Sequence, residues 1–370
     1  MSHFNIRRTA SDQIELSSLF FIVLCFQFGY GFFQVPGHLA ELTGNQGWLV
    51  SFAASVLIQL LLYAGVTAMK KSGHSDWYTM AGRYFGSVGG KLAAALYILF
   101  FYCLGIIILR TYVGALQDYL FPRTSTLFLS LLTLLPVYLL LVGGLSLLSR
   151  FAILTVLSTL WVLIPLYYPY RLLEPTLLLP MTVQSVGSYG QALMSACSTA
   201  FGISLIFFIY PSVLSHKGVL LRVSYAHWLS TFINMLVNLI VAGTMGYEFA
   251  ELNTYPYLTL YRVSQFAFIE STELIIVAEW SLIISIVIGG FIWVIQQGIR
   301  HMVPTMTRTR TMRIPLLFLT LLGVLLLPEE SANLVPYVRI TELAGIILIS
   351  SSIALFWLMT KFTSKEGAGT

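Results

Sequence analysis

Charged residues interrupt this chain only at intervals, and the intervals are the length of a membrane crossing. Stretches without Asp, Glu, Lys or Arg run over 16–40, 42–69, 92–109, 124–149, 151–170, 175–215, 223–247, 280–299, 314–328 and 343–360. A helix needs about 20 predominantly apolar residues to cross the hydrocarbon of a bilayer. The pattern predicts ten helical spans. The short, Pro-bounded run at 314–328 needs neighbours such as Met312 to reach across. Inside the first span lies Gln27-Phe-Gly-Tyr-Gly-Phe-Phe-Gln-Val-Pro36. Glycines 29 and 31 remove side chains, and Pro36 removes a backbone N–H, so a helix break is expected there. Bare backbone is tolerated in a membrane only where it is buried in protein or lines a cavity. In transporters such breaks hold the substrate.

Composition agrees with the pattern. Hydrophobic residues make up 57% of the chain and charged ones 9%, with a mean hydropathy of +0.84. No soluble domain of this length disperses with so little charge. The charges orient the spans. Fifteen Lys and Arg fall at Arg7, Arg8, Lys70, Lys71, Arg83, Lys91, Arg150, Lys217, Arg222, Arg300, Arg308, Arg310, Arg313, Lys361 and Lys365, in alternate loops and both termini. The other loops hold four: Arg123, Arg171, Arg262 and Arg339. The positive-inside rule then predicts cytoplasmic termini. The basic pI near 9.0 follows from this topology and signals no nucleic acid. Asp12, Glu15 and the absence of a small-residue site before the long span argue against a cleaved signal peptide.

The expected organisation is one polytopic membrane domain over 1–370. It comprises a cytoplasmic segment 1–12, a five-helix repeat over about 13–170, a second over about 185–361, and a tail at 362–370. The repeat is read from a second interruption, Ala200-Phe201-Gly202, five spans after the first. Paired breaks in two inverted halves mark a transporter fold. The loops at 70–91 and 246–272 are the sizeable ones. The second, with Tyr255-Pro256-Tyr257, is expected to form a short helix over the outer membrane face.

Enzymatic and metal chemistry find no support. Cys25, Cys103 and Cys197 lie within spans without ligand spacing. His38, His74, His216, His227 and His301 share no metal spacing, and Ser146 after Gly143-Gly144 lacks a nucleophile-elbow context. No cofactor is expected. The fifth span, Phe151 to Tyr170, carries no Lys to shuttle protons.

The phrase from Phe28 to Pro36 resembles the Ile-Gly-x-Gly-x-x-x-x-Pro signature of the amino acid–polyamine–organocation superfamily. Ten spans, a length near 370, Gly47-Trp48, Tyr255-Pro256 and Phe268-Ile-Glu270, in this order, resemble the spore germination permease family, the GerAB-like B subunits of nutrient germinant receptors. The chain departs from that family at Gln46-Gly47, where an Asp is usual before the Trp, and at Ser271, where an Arg is usual. The resemblance implies a LeuT-like fold with broken spans 1 and 6 facing spans 3 and 8. It implies a small nutrient, such as an amino acid, as ligand and the spore inner membrane as location. A-type and C-type receptor subunits would be the partners. A free-standing amino-acid permease of the cell membrane is the alternative.

The candidate site follows. N–H groups around Gly29, Tyr30, Gly31 and Phe32, and around Phe201 and Gly202, would bind a carboxylate, because half-helix N-termini carry partial positive charge. Tyr97 and Tyr102 of span 3 would line the side, and Ser281 and Ser285 of span 8 would supply hydroxyls. Arg110 and Glu279 are the charges set deepest in spans 3 and 8. Buried charges pair or serve function, so an Arg110–Glu279 ion pair is expected as clamp or outer gate.

Overall fold

The computed structural model describes residues 12–29, 31–179, 181, 184–264, 271–305, 310–329 and 331–366. Among them the chain is helical, with a single isolated bridge between Ile14 and Val213. The helices are α1 (Leu16–Gly29), α2 (Val35–Thr43), α3 (Gly47–Lys71), α4 (Trp77–Tyr119) and α5 (Thr126–Thr159) in the first half. Then come α6 (Tyr167–Arg171), α7 (Val186–Ser198), α8 (Ile206–Ile209), α9 (Val219–Met245), α10 (Tyr247–Glu251) and α11 (Pro256–Arg262). The chain closes with α12 (Thr272–Met302), α13 (Arg310–Leu326) and α14 (Ser331–Glu366).

Among the described residues, six helices are long and apolar enough to cross a membrane, or seven if the bent pair Val186–Ser198 and Phe201–Ser212 is one span. Leu16–Gly29 and Thr311–Leu326 are shorter apolar helices. Both expected breaks are present: α1 stops at Gly29, and the 186–212 segment bends by 48° after Ser198.

Two long helices are not continuous. Gly86 in α4 has φ 73° and ψ −174°, and Gly144 in α5 has φ 70° and ψ −163°. A positive φ costs glycine nothing and other residues about 1–2 kcal/mol. A Cβ on Gly90 would stand 2.6 Å from the Cα of Gly82. Eight residues along a straight helix are about 12 Å apart, so the chain folds back on itself at Gly86. The loop expected at 70–91 therefore contains a helical arm, 77–85, packed against α4. At Gly144 the would-be Cβ of Gly143 stands 2.3 Å from the Cβ of Leu147, again a tight reversal. The boundary between the fourth and fifth spans lies here and not at Arg150. That residue sits exposed on the helix after the turn, because one long, flexible cation on a helix surface does not end a helix.

Helix α12 is the hub. It packs against α4, α5, α1 and α11, and its inner half from Ile284 to Gly298 is buried on all sides. A helix apolar all round belongs in the centre of a bundle. By contrast Leu131, Leu135 and Leu139 of α5 form an exposed stripe four residues apart, the pattern of a lipid-facing surface. The segment after α9 does not lie over the surface as expected. Tyr257, Leu258, Leu260 and Tyr261 are buried, and the Tyr261 hydroxyl donates to the Val162 carbonyl at 3.0 Å. Helix α11 is thus wedged into the bundle toward the first break. Residues 265–270, with the Phe268-Ile-Glu270 element, lie outside the described residues.

Candidate functional site

The first break is made by glycine. Helix α1 ends at Gly29, and Gly31 takes φ +66°. Its carbonyl then accepts from the N–H groups of Gln34 (2.9 Å) and Val35 (2.8 Å), which turns the chain into α2. Pro36 sits in the first turn of α2, where a missing N–H is no loss. Pro36 therefore starts the second half-helix and does not itself break the first. Tyr30 lies outside the described residues.

The two breaks are packed on each other. A Cβ on Gly202 would stand 2.1 Å from the Phe26 carbonyl oxygen. One on Gly29 would stand 2.4 Å from Cγ2 of Val287, and one on Gly290 would stand 2.6 Å from the Phe26 ring. Helix α1 thus runs between the second break and α12 at backbone distance. The Phe28 carbonyl, at the end of α1, accepts from the indole N–H of Trp280 at 3.3 Å. This satisfies an acceptor that would be costly if left bare in an apolar interior.

Beside this bond is a cavity of about 120 Å³ between α1, α5, α9, α11 and α12. Phe28, Phe32, Phe33, Tyr257 and Trp280 form its aromatic wall. The rings interlock: Phe33 stands edge-on to Trp280 at 3.9 Å between centroids and stacks on Tyr257 at 5.1 Å. Among the described residues, one carboxylate, Glu279, lines the cavity, and no Lys or Arg does. Its Oε2 accepts from Trp161 Nε1 at 2.8 Å.

Of the residues expected to form the site, Phe32 and Glu279 meet in this cavity. Gly29, Gly31 and Gly202 shape the breaks. Phe201 lines a separate apolar groove between α3, the second break and α14. The Tyr97 hydroxyl accepts from Trp77 Nε1 at 2.9 Å and pairs with Ser352 Oγ at 2.6 Å, which ties it to α14. Tyr102 donates to the Leu319 carbonyl of α13 at 2.9 Å. Both tyrosines point away from the cavity, because they lie on faces of α4 turned to α13 and α14. The α4 residue that reaches this region is Tyr112, whose ring stands 5.5 Å from that of Trp280. Ser285 Oγ donates to the Ser281 carbonyl at 2.7 Å, one turn back on its own helix, so its proton is not offered to a ligand.

The expected Arg110–Glu279 ion pair is not formed. Arg110 is fully buried and donates Nε to the Pro328 carbonyl at 3.0 Å and Nη2 to the Glu329 carbonyl. These carbonyls follow α13, where a cation complements the helix dipole. Glu279 is held instead by Trp161. Spans 3 and 8 do adjoin, but the two side chains leave α4 and α12 toward different neighbours.

Two polar clusters carry no sequence signature. Glu342 of α14 is buried and accepts from Ser198 Oγ at 2.7 Å, beside the second break. Gln27 of α1 and His227 and Ser230 of α9 form a second cluster, buried between the broken helices and α3. A single polar residue in each of several apolar helices is the available signal, and it names no partner.

Paired broken helices packed around a central helix define the class: an all-α membrane protein of transporter fold. A solved structure of a Na⁺-coupled sialic acid symporter, substrate-bound and outward-open, superimposes with a TM-score of 0.68 at 13% identity, covering 94% of this chain and 79% of that one. Residues 13–333 match the family described as spore germination protein, the spore permeases. The chain belongs to that family. It is also 20% identical to spore germination protein GerQB of Bacillus cereus over 347 residues, 94% of this chain and 95% of that protein.

Proposed function

We propose that this chain is the membrane subunit of a spore nutrient germinant receptor, and that it binds a small nutrient such as an amino acid where α1 gives way to α2. The observation that carries the reading is the cavity at that break, with aromatic walls and one carboxylate. An ammonium group on Glu279 and an apolar body against Phe28, Phe33 and Trp280 would fit it, since aromatic faces also attract cations. The family membership and the GerQB likeness support the receptor role, with ten spans, a spore inner-membrane location and A-type and C-type partner subunits. The transporter fold supports the second reading, a free-standing amino-acid permease.

Spores lacking this gene, tested on a panel of amino acids and sugars, separate the two. A receptor loses germination to one nutrient; a permease loses uptake and germinates normally. Complementation with Glu279→Gln then tests the site. Losing a hydrogen bond to a charged group costs about 1.5–3 kcal/mol, roughly a 10- to 150-fold rise in the nutrient concentration required. An unchanged dose response with normal protein level would place the ligand elsewhere.

A further inference from the structure

The cluster of Gln27, His227 and Ser230 has more acceptors than hydrogens as it stands. His227 Nε2 faces the Ser55 carbonyl at 2.9 Å. A carbonyl only accepts, so Nε2 carries a proton. His227 Nδ1 faces Gln27 Oε1 at 3.2 Å, a second acceptor. Ser230 Oγ has one hydrogen and two acceptors within reach, Gln27 Oε1 and the His227 carbonyl. Meanwhile Gln27 Nε2 is buried with no partner. Gln27 is 4% exposed and His227 1%, so water outside the protein does not settle the account.

Two arrangements satisfy His227, Ser230 and the inward end of the Gln27 amide, and they differ by one proton and by which end of that amide faces outward. With a neutral imidazole, the Gln27 amide turns over. Its NH₂ donates to His227 Nδ1 and Ser230 Oγ, the Ser230 hydrogen goes to the His227 carbonyl, and the amide oxygen faces outward. With an imidazolium, Nδ1–H donates to Gln27 Oε1, and the amide NH₂ faces outward. Amide oxygen and nitrogen are told apart by such hydrogen-bond accounting.

Outward of Gln27 lies a polar cavity of about 20 Å³, lined by Ser55, Thr199, Thr231 and Asn234 among others. That is room for a single water. The Ser55, Thr199 and Thr231 hydroxyls already donate to the carbonyls of Ser51, Ala196 and His227. They therefore present oxygen lone pairs to the cavity, which an outward amide NH₂ would meet. No charged or titratable side chain other than His227 lines the cavity among the described residues: α1, α3, α7, the second break and α9 contribute uncharged groups there.

We propose that His227 is a proton-binding site whose occupancy sets the orientation of the Gln27 amide, and so the donor or acceptor character of the cavity between the two broken helices. Whatever enters that cavity is then linked to the proton, and the linkage is reciprocal. This goes beyond nutrient binding at the aromatic cavity and does not depend on it.

The test is ring-nitrogen NMR of the full-length protein in lipid bilayers, labelled with ¹⁵N-histidine and titrated between about pH 5 and 8. His227→Gln identifies the signal by its loss. The expected result is that Nδ1 changes from unprotonated to protonated on acidification while Nε2 stays protonated throughout. Gln27→Leu, which removes the acceptor, should lower the midpoint by about one unit or more, and Gln27→Glu should raise it by a similar amount. An Nδ1 that stays in one state over the whole range overturns the proposal. So does titration at Nε2, or a midpoint equal in the two Gln27 variants. The wild-type titration, assigned through His227→Gln, decides the first two points even if a Gln27 variant fails to fold.

Discussion

Adding one methyl group at Gly202 should pry the two breaks apart. The new Cβ would lie 2.1 Å from the Phe26 carbonyl oxygen, 2.7 Å from its carbon and 2.7 Å from the Phe26 Cβ. Carbon–oxygen contacts settle at about 3.3 Å or more, so the second break must withdraw from α1 by roughly 1 Å. The obstacle is backbone and cannot rotate away. Overpacking costs about 1–3 kcal/mol, and this case belongs at the upper end. Cys25, one residue before Phe26, reports the event because its thiol is fully buried in α1. With Cys103 and Cys197 replaced by Ala, Cys25 should react with a thiol reagent as fast as the local contact opens. A loss of about 3 kcal/mol makes that opening roughly 150-fold more frequent. Gly190→Ala, on α7, is the control: nothing lies within 4 Å of its would-be Cβ, and a helical alanine gains up to about 1 kcal/mol over glycine. If Gly202→Ala labels at the wild-type rate, the breaks are not in backbone contact and the packing argument fails.

Three further outcomes are expected. Gly31→Ala should destabilise by about 1–2 kcal/mol through its positive φ alone, since a Cβ there meets only Val35 at 3.4 Å, with Gly31→Asn milder because Asn tolerates the left-handed region; melting of the purified protein orders the three, and equal melting refutes the dihedral argument. Arg110→Met and Glu279→Gln should give additive losses of protein level in the double variant, since their partners are separate and residues without shared partners do not couple; a coupling above about 0.5 kcal/mol would restore the ion pair. Burial and the nearby His74, ring to ring at 4.3 Å, push the His216 imidazole below its ordinary value. The unfolded chain then takes up that proton first, so stability present above about pH 6.5 is lost as pH falls toward the folded value. His216→Asn should abolish this acid-side fall in melting temperature, and an unchanged pH profile would refute it.

The elements that glycine writes into the chain were the legible ones. Gly29, Gly31 and Gly202 mark the breaks because no other residue allows that backbone turn or that approach. Gly144 carries the same signal, but the charge pattern sets the boundary at Arg150, six residues late. The cavity was not legible. Its walls are Phe, Trp and Tyr in a chain rich in all three, and only the tertiary meeting of α1, α5, α11 and α12 distinguishes them. Tyr97 and Tyr102 show the same limit from the other side: sequence places them on the right helix, but rotation about that helix turns them to α14 and α13. Gln27 and His227 lie 200 residues apart, so neither local pattern nor spacing connects them.

The reversal at Gly144 bears on how this chain is built into a membrane. The arms 126–143 and 145–159 are joined by one residue, with no loop between them. Helices so joined form a hairpin whose arms lie side by side in the lipid. No stretch at the bend is long enough to be held by a separate hydrophilic segment. The positive-inside rule would orient the pair by Arg150 beyond the bend and Arg123 before the first arm. A tag or reporter inserted at the bend would have to force the arms apart, and the level of accumulated protein would report the damage.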